Sequence, residues 1–309
     1  MRTEQFRFKP VRQRFIPKPN GKMRKLGIPC VRDKIVQEVI RMILEAIYDS
    51  PYAPYFHDAS HGFRPNRSCH TALREYRRKW RATNWIIEGD IQACFDELDH
   101  TVLVNILRKK IEDERFLNLR RKLLNAGYFD LHGKKRESRV GSPQGGIASP
   151  ILANSYLHER DEFVEQLRCK REKGEHKAPS RAYQRLADRK RRLAAKGQTK
   201  TKEFRELVKC LRRLPPVEGN DPHYVRIKYL RSADDWASGL CGSKDQASQL
   251  KRAIKEFLRE TLKLRLEPGK DDHSQRQRRR GVFSGHPSHQ RQRRGAENSP
   301  HDEPDGKTV

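Results

Sequence analysis

Apolar positions near the start of the chain alternate between strand spacing and helix spacing. Residues 15–29 place apolar side chains on both flanks of a Pro-Asn-Gly segment at 19–21, which predicts a β-hairpin. Asp33 then stands where we expect the cap of a helix. Beyond it, apolar residues recur with the 3.6-residue period of a helix, at Ile35, Val36, Val39, Ile40, Ile43, Leu44 and Ile47.

The pattern that follows consists of short apolar strands between longer helical stretches. Residues 85–91 predict a strand that ends on the carboxylate of Asp90, and residues 224–230 and 236–240 predict two strands joined by an acidic turn. Helical spacing is found at residues 98–122 (one helix or a pair), 147–167 and 245–262. Mixed helices and hairpins with few β-α-β units predict the α+β class, with a sheet layer backed by helices.

Charge indicates the kind of partner. The 309 residues include 68 Lys and Arg against 40 Asp and Glu, a net charge of +28. This excess attracts polyanions, so nucleic acid is the first partner to expect, and an enzyme of small metabolites is disfavoured. No apolar run approaches the ~20 residues that span a bilayer, so no membrane partner is expected.

Cysteine usage and the first residues indicate the compartment. The six cysteines are scattered without a Cys-x-x-Cys pair, which favours neither a disulfide framework nor a zinc knuckle. The first ten residues have no apolar stretch of the kind found in signal peptides. We therefore expect an intracellular, reduced protein, in a bacterial cytoplasm or in an organelle such as the mitochondrion.

The positive charge is unevenly spread. Residues 168–213 hold 18 Lys and Arg against 5 Asp and Glu, nearly half of the excess in the whole chain. Residues 271–309 contain very few apolar residues, so we expect this tail to be disordered. These apolar residues are Val282, Phe283, Ala296 and Val309.

Carboxylates at strand ends are the candidates for chemistry. Asp90 ends one predicted strand, whereas Asp234 and Asp235 lie in the turn between two others, and one sheet could bring all three together. Mg²⁺ prefers carboxylate oxygens, and a pair of ions ~3.5–4 Å apart can activate an attacking hydroxyl and stabilise a leaving oxygen. The alternative for each aspartate is an ordinary turn former.

Five segments, in this order, resemble the reverse transcriptases encoded by group II introns, also called intron maturases. Any one of them alone would be a weak signal, but five in the right order are a strong one. They are Phe-Ile-Pro-Lys-Pro-Asn-Gly-Lys at 15–22, His-Gly-Phe-Arg-Pro-Asn-Arg at 61–67, Glu-Gly-Asp-Ile-Gln-Ala-Cys-Phe-Asp-Glu-Leu-Asp-His at 88–100, Gly-Ser-Pro-Gln-Gly-Gly-Ile-Ala-Ser-Pro-Ile-Leu-Ala-Asn at 141–154 and Tyr-Leu-Arg-Ser-Ala-Asp-Asp at 229–235.

The resemblance implies the fingers and palm of a right-hand polymerase, with an antiparallel palm sheet backed by helices and a basic helical insert. The implied reaction is RNA-directed DNA synthesis from dNTPs on a DNA primer, with an RNA template and two Mg²⁺ ions, and intron RNA is a further implied partner. We expect fingers at 1–87, palm at 88–167 and 221–270, a basic insert at 168–220 and a disordered tail at 271–309.

The resemblance also implies roles for individual residues. Asp90, Asp234 and Asp235 match the metal ligands, assisted by the carbonyl of Ile91. Phe95 matches the ring that excludes a ribose 2′-hydroxyl; read without the resemblance, it could be a core residue. Gln144 matches a position beside the incoming nucleotide. The matches to triphosphate-holding residues are Arg12, Lys18 and Lys34, each of which could instead be a solvated surface charge.

Two sets of cations are expected to contact RNA. Arg64 and Arg67, with His61, either contact the template or position the fingers. The insert predicts a basic helix that either binds RNA phosphates or is a solvated, partly disordered excursion. Its RNA-binding candidates are Arg181, Arg189, Lys190, Arg191 and Arg192.

The sequence departs from the family in several places. Ser232 stands where these proteins usually have an aromatic ring near the primer end. We expect only about ten residues before the first fingers block, no palm strand after residues 266–270, and no thumb, maturase or DNA-endonuclease domain. Two rival hypotheses therefore stay open: an RNA-binding splicing factor that has lost polymerisation, and a truncated gene remnant.

Overall fold

The computed structural model describes residues 5–17, 21, 23–80, 82–137, 140–142, 144–219 and 221–267, together with the backbone of 273–275. These residues form two four-stranded sheets and the helices that pack on them. In chain order the elements are β1 (Val11–Pro17), β2 (Met23–Ile28), α1 (Val31–Tyr48), α2 (Cys69–Lys79), β3 (Trp85–Gly89), α3 (His100–Arg108), α4 (Glu114–Leu124), β4 (Tyr128–Phe129), β5 (Lys135–Arg136), α5 (Ser149–Arg171), α6 (Arg181–Ala195), α7 (Lys202–Arg213), β6 (Arg226–Ser232), β7 (Asp235–Cys241), α8 (Lys244–Glu260) and β8 (His273–Gln275).

The first sheet contains the predicted hairpin. Strands β1 and β2 pair antiparallel, with Arg12 opposite Ile28, so the hairpin prediction is confirmed. The sheet has the order β2-β1-β4-β5, because β4 pairs in parallel with β1 and β5 pairs with β4. Strands from beyond residue 87 therefore complete the sheet of the fingers, so the two regions interleave along the chain.

Helix α1 differs from its prediction at its start. The helix begins at Val31 with Cys30 as its cap, so the prediction that Asp33 caps it is wrong. Asp33 is buried in the first turn, where one carboxylate oxygen accepts a hydrogen bond of 2.8 Å from the backbone N–H of Lys9. The carboxylate of Asp33 therefore bonds a residue that is distant in the sequence instead of capping its own helix.

The second sheet is antiparallel and has the order β6-β7-β3-β8. Strands β6 and β7 form the predicted acidic hairpin, and β3 pairs with β7, with Gly89 opposite Trp236. Helices α5 and α8 pack on this sheet and on each other, with Phe163 and Phe257 stacked at 4.2 Å between ring centroids. The prediction of an antiparallel sheet backed by helices is confirmed.

Strand β8 corrects the prediction for the end of the folded region. We expected no palm strand after residues 266–270 and no order from residue 271, yet His273–Gln275 pairs antiparallel with the outer edge of β3. An unpaired edge would leave backbone groups of β3 without partners, although Ile86 and Ile87 beside them are buried. Apart from β8, the predicted disordered tail lies outside the described residues.

The predicted helical stretches are present, with shifted ends. Residues 98–122 form two helices, α3 and α4, each begun by an aspartate, Asp99 or Asp113, whose side chain accepts a backbone hydrogen bond in the first turn. Helix α5 continues four residues past its predicted end at 167. Among the helices of the described residues, none is long and apolar enough to cross a membrane.

The insert is helical, as expected, and contains a second helix. Helices α6 and α7 pack against each other, with Leu207 buried and the ammonium of Lys190 6.0 Å from the centre of the Phe204 ring. Backbone pairing of Lys173 with Val225 joins the base of the insert to the start of β6. Because the acidic turn is at the other end of β6, the insert leaves the sheet at the end far from that turn.

Candidate active site

A two-residue turn at the tip of the β6–β7 hairpin carries Asp234. Ser232 pairs with Asp235, which leaves Ala233 and Asp234 as the turn, here called the acidic turn. Ala233 has φ +59°, a left-handed conformation that residues with a Cβ adopt only in tight turns. The two-residue turn sets the register of the hairpin, and the register in turn places Asp234 at the end of the sheet.

Asp90 reaches the same end of the sheet from the neighbouring strand. It follows β3 directly, and β3 pairs with β7 along its whole length. The carbonyl of Asp90 accepts a hydrogen bond of 2.9 Å from the N–H of Glu267, and Gln92 donates one of 2.9 Å to the carbonyl of Arg265. These two bonds lie on either side of the pairing of Ile91 with Leu266. The carbonyl of Ile91 therefore points away from the segment at 265–267.

Asp90 and Asp234 line one cavity of about 620 Å³, together with Ile91, Phe95 and Gln144. Five of the residues that the sequence assigned to metal and nucleotide binding therefore meet at one place. The cavity lies between the palm sheet, the β2 strand of the fingers and the Gly-rich segment at 144–146. Its size is in the range of small-molecule sites in proteins.

The two carboxylates of the cavity influence each other electrostatically. Burial raises the pKa of Asp234, and the nearby charge of Asp90 raises it further, whereas the positive charges of Arg160 and Arg24 act in the opposite direction. A divalent cation would relieve the repulsion between two carboxylates. Carboxylate oxygens and a backbone carbonyl are the hard ligands that Mg²⁺ favours, so these residues fit that ion.

Asp235 takes a different position from its neighbour. It is the first residue of β7, it is exposed, and it is not among the residues that line the cavity. Within the described ranges, no three His, Cys, Asp or Glu side chains form a group that could hold a metal ion. The convergence of all three predicted ligands stays a prediction, and the cavity contains two of them.

Phe95 and Gln144 are held by packing and backbone bonds. Phe95 is partly buried against the core and its ring centre is 6.4 Å from that of Phe63, so it belongs both to the core and to the cavity wall. The carbonyl of Gln144 accepts a hydrogen bond of 2.7 Å from the N–H of Gly27 on β2. The Gly-rich turn is thereby fastened to the fingers hairpin.

The cations of the cavity are not those that the sequence proposed. Arg24 and Lys25 of β2 line it, whereas Arg12 and Lys34 are exposed and are not among its lining residues. Lys18 lies outside the described residues. The signal that could have identified Arg24 and Lys25 is their place in β2, directly after the turn that resembles the first fingers block; the triphosphate roles of the other three stay predictions.

Arg64 and Arg67 brace the loop that carries the second fingers block. The buried guanidinium of Arg64 bonds both carboxylate oxygens of Asp49, at 2.6 Å and 3.0 Å, and donates to the carbonyls of His57 and Ser60. Arg67 pairs with Asp58 at 2.8 Å. Positioning of the fingers, one of the two expected roles, is the one that we retain for Arg64, because it has almost no exposed surface.

The cations of the insert lie on its surface. Arg181, Arg189, Arg191 and Arg192 are exposed. Arg189 pairs with Glu203 of α7 at 2.7 Å, and Arg191 pairs with Asp188 within α6 at 3.2 Å. Exposed pairs of this kind contribute little to stability and can exchange for phosphates. The RNA contact stays a prediction, on a helical hairpin rather than on a single helix.

The chain belongs to the reverse transcriptase family. Residues 16–174, slightly more than half of the chain, match the family described as reverse transcriptase (RNA-dependent DNA polymerase). The fold comparison agrees: the telomerase of Candida albicans, in complex with a fragment of telomeric RNA, superposes with a TM-score of 0.51 at 11% identity, over 86% of this chain and 42% of that one. At that identity the likeness concerns the fold alone.

Within the family, several similar proteins are named after the introns that contain or encode them. The chain is 42% identical over 265 residues to the group II intron-encoded protein LtrA of Lactococcus lactis subsp. cremoris, which covers 83% of this chain and 43% of that protein. It is 40% identical over 259 residues to the putative COX1/OXI3 intron 1 protein of Saccharomyces cerevisiae, over 83% of this chain and 30% of the relative. The expected family is confirmed, and the chain spans less than half the length of these relatives.

Proposed function

We propose that this chain carries the active site of an RNA-directed DNA polymerase encoded by a group II intron. One observation carries the proposal: Asp90 and Asp234, from adjacent antiparallel strands, line the same cavity as Phe95 and Gln144. The proposed reaction is attack of a primer 3′-hydroxyl on the α-phosphorus of a dNTP, with RNA as the template. The proposed oxygen ligands for two Mg²⁺ ions are those of Asp90, Asp234 and Ile91, with Asp235 beside them.

The protein contributes mainly position and charge. Two bound Mg²⁺ ions would lower the pKa of the attacking hydroxyl and neutralise charge on the leaving pyrophosphate. Asp90 and Asp234 hold the acidic end of the cavity, and Arg24 and Lys25 on β2 offer positive charge to the triphosphate. Phe95 would lie under the sugar, where its ring leaves no room for a 2′-hydroxyl.

RNA binding is proposed for a surface separate from this cavity. The exposed cations of α6 and α7 supply positive charge at the far end of the palm sheet, which suits the phosphates of a structured RNA such as the intron. The partners that follow are a template RNA, an intron RNA, a DNA primer and dNTPs, in an intracellular setting.

The test is addition of one dNTP to a DNA primer annealed to an RNA template. Asp90→Asn and Asp234→Asn should each lower the rate by more than 10²-fold, because each removes an oxygen ligand charge while preserving shape. Asp188→Asn on α6 is the matched control and should keep the full rate. Retained activity in either cavity variant would contradict the proposal.

One observation favours the splicing-factor hypothesis as a second candidate. Ser232 lies beside the acidic turn with its hydroxyl 3.7 Å from the sulfur of Cys69, at the position where the family usually has an aromatic ring. Without the ring the primer end would be held less firmly, which would impair DNA synthesis and leave RNA binding unaffected. Intron RNA binding by the full chain, without nucleotide addition at any Mg²⁺ concentration, would decide for this candidate.

A further inference from the structure

A buried ion pair lies behind the acidic turn and takes no part in the proposed chemistry. Arg231 of β6 and Asp161 of α5 are both fully buried, with 2.7 Å between Nη2 and Oδ2 and 2.9 Å between Nε and Oδ1. The hydroxyl of Tyr229 also donates to Asp161, at 2.7 Å. A buried pair with further hydrogen bonds is the arrangement in which such charges are tolerated inside a protein.

The remaining amino group of Arg231 contacts the acidic turn itself. Nη1 donates to the carbonyl of Ala233 at 3.1 Å and to Oδ1 of Asn154 on α5 at 2.9 Å. The carbonyl of Ala233 and the backbone nitrogen of Asp234 belong to the same peptide group. One guanidinium therefore holds both helix α5 and the peptide that carries a proposed metal ligand, at a residue whose left-handed backbone needs support from its surroundings.

Asn154 extends the same cluster to the fingers. Its side-chain Nδ2 donates to the carbonyl of Gly62 at 2.8 Å. The backbone of Arg231 also donates to the carbonyl of Ala59 and accepts from the N–H of His61, both at 2.8 Å. Helix α5, the fingers loop and the acidic turn thus meet at two side chains, neither of which lines the cavity.

We infer that Arg231 and Asn154 are positioning residues that set the orientation of the Asp234 carboxylate and fix the fingers loop against the acidic turn. This inference rests on the proposed function, since the orientation of Asp234 matters only if it holds a metal ion. Arg231 acts on the carbonyl of Ala233, and Asn154 acts on Arg231 and on the carbonyl of Gly62. Displacement of a reacting group by ~1 Å can lower a rate on the order of 10²-fold.

Asn154→Ala is the sharpest variant, because it removes the link and leaves the Arg231–Asp161 pair in place. The matched control is Ser155→Ala, one residue further along α5, whose hydroxyl bonds only the carbonyl of Ile151 in its own helix. Both side chains are buried, so a general cost of altering α5 affects both variants. Only Asn154→Ala removes a contact of Arg231, the residue that bonds the acidic turn.

The experiment measures Mn²⁺ binding by electron paramagnetic resonance, together with kcat and KM for one dNTP addition, on the full chain. We expect Asn154→Ala to weaken Mn²⁺ binding at least 5-fold and to lower kcat roughly 10- to 100-fold with little change in KM. Ser155→Ala should match the unaltered chain in both readouts. Melting curves of both variants establish that each is folded.

A second variant tests whether the two residues act together. Arg231→Lys keeps the charge but loses the hydrogen bond from Nη1 to the Ala233 carbonyl, together with the forked hydrogen bonding to Asp161. If both residues act through the acidic turn, the double variant should be no worse than the poorer single variant, which is a non-additive result. Simple multiplication of the two effects would contradict the shared action.

The outcomes separate the two proposals. Unchanged Mn²⁺ binding and kcat in a folded Asn154→Ala protein would overturn the positioning role and leave the polymerase proposal standing. Equal losses in Ser155→Ala would also overturn it, because they would assign the effect to helix α5 in general. If the unaltered chain binds Mn²⁺ no better than Asp234→Asn and adds no nucleotide, both the proposed function and the positioning role fail.

Discussion

Gly62 of the fingers loop lies directly against the backbone nitrogen of Ala233 in the acidic turn. A Cβ at residue 62 would approach that nitrogen to well under 3.0 Å, and the atoms it would meet are backbone atoms that cannot rotate away. The loop of the second fingers block and the turn of the palm hairpin therefore touch without any side chain between them. The backbone next to Asp234 can keep its position only because residue 62 has no side chain.

Replacing this glycine should separate the two segments. We expect Gly62→Ala to destabilise the protein by roughly 1–3 kcal/mol, the usual cost of an added carbon in a packed site, and to lower dNTP addition at least 10-fold. Denaturant unfolding and a single-nucleotide assay would measure the two effects. Gly219→Ala, at a glycine with open space around its Cβ position, is the control and should change neither.

Phe95 should select the sugar of the incoming nucleotide. Phe95→Ala opens space under the ribose position, so we expect ribonucleotide addition relative to dNTP addition to rise roughly 10- to 100-fold, in line with the discrimination available from packing in an apolar pocket. Phe63→Ala alters the same cavity wall with a ring that is mostly exposed, and it should leave the ratio unchanged. An unchanged ratio in Phe95→Ala, with a loss of stability alone, would assign Phe95 to the core.

The raised pKa of Asp234 has a consequence for stability without metal. Because burial and Asp90 raise this pKa in the folded state, the ionised carboxyl group opposes folding, and the opposition disappears as pH falls through the folded-state pKa. In EDTA at neutral pH, Asp234→Asn should therefore melt at a higher temperature than the unaltered chain. The gain should vanish at acid pH.

Two controls belong to this melting experiment. Mg²⁺ should raise the melting temperature of the unaltered chain more than that of Asp234→Asn, because the ion relieves the same repulsion. Asp235→Asn changes the next carboxyl group, which is exposed and does not line the cavity, and it should produce no gain of the same size. A lower melting temperature for Asp234→Asn at neutral pH without metal would contradict the interpretation.

The insert should supply RNA affinity without supporting the palm. Pro179 and Val217 pair between its base and its two helices, so a short Gly-Ser linker can replace residues 181–213 with little disturbance of the sheet. We expect weaker binding of structured RNA and a flatter salt dependence, the logarithmic slope falling by roughly 0.7–0.9 for each phosphate that the protein no longer neutralises. Salt titrations of binding would measure both, and an unchanged slope would favour the solvated alternative.

Local pattern was sufficient for strands β1, β2, β3, β6 and β7 and for the position of Asp90 and Asp234 at strand ends, because strand spacing and the acidic turn are properties of neighbouring residues. Long-range partners explain what was missed. Asp33 bonds Lys9 rather than its own helix end, and strand β8 forms because β3 has an edge to cover. Arg24 lies in the predicted hairpin, but its approach to the cavity depends on the packing of β2, which the apolar spacing alone does not show.

Ser232 offers the last test, because it bears on whether the chain extends primers well. It ends strand β6 directly before the acidic turn, it is partly exposed, and its hydroxyl faces the sulfur of Cys69 at the start of α2. Neither group offers an apolar face to a primer end. Weak holding there should displace the 3′-hydroxyl from the α-phosphorus, a displacement that costs on the order of 10²-fold in rate for ~1 Å.

Restoring a ring at this position should therefore recover rate. We expect Ser232→Tyr to raise the rate of single dNTP addition by about 10-fold, with a lower KM for the primer–template and an unchanged affinity for structured RNA, which we have proposed for the distant insert. Cys69→Ala, which removes the facing sulfur but adds no ring, is the control and should leave the rate as it is. An equal rise in the control would attribute the gain to release of the Cys69 sulfur from Ser232, whereas no rise in Ser232→Tyr would show that the missing ring does not limit synthesis.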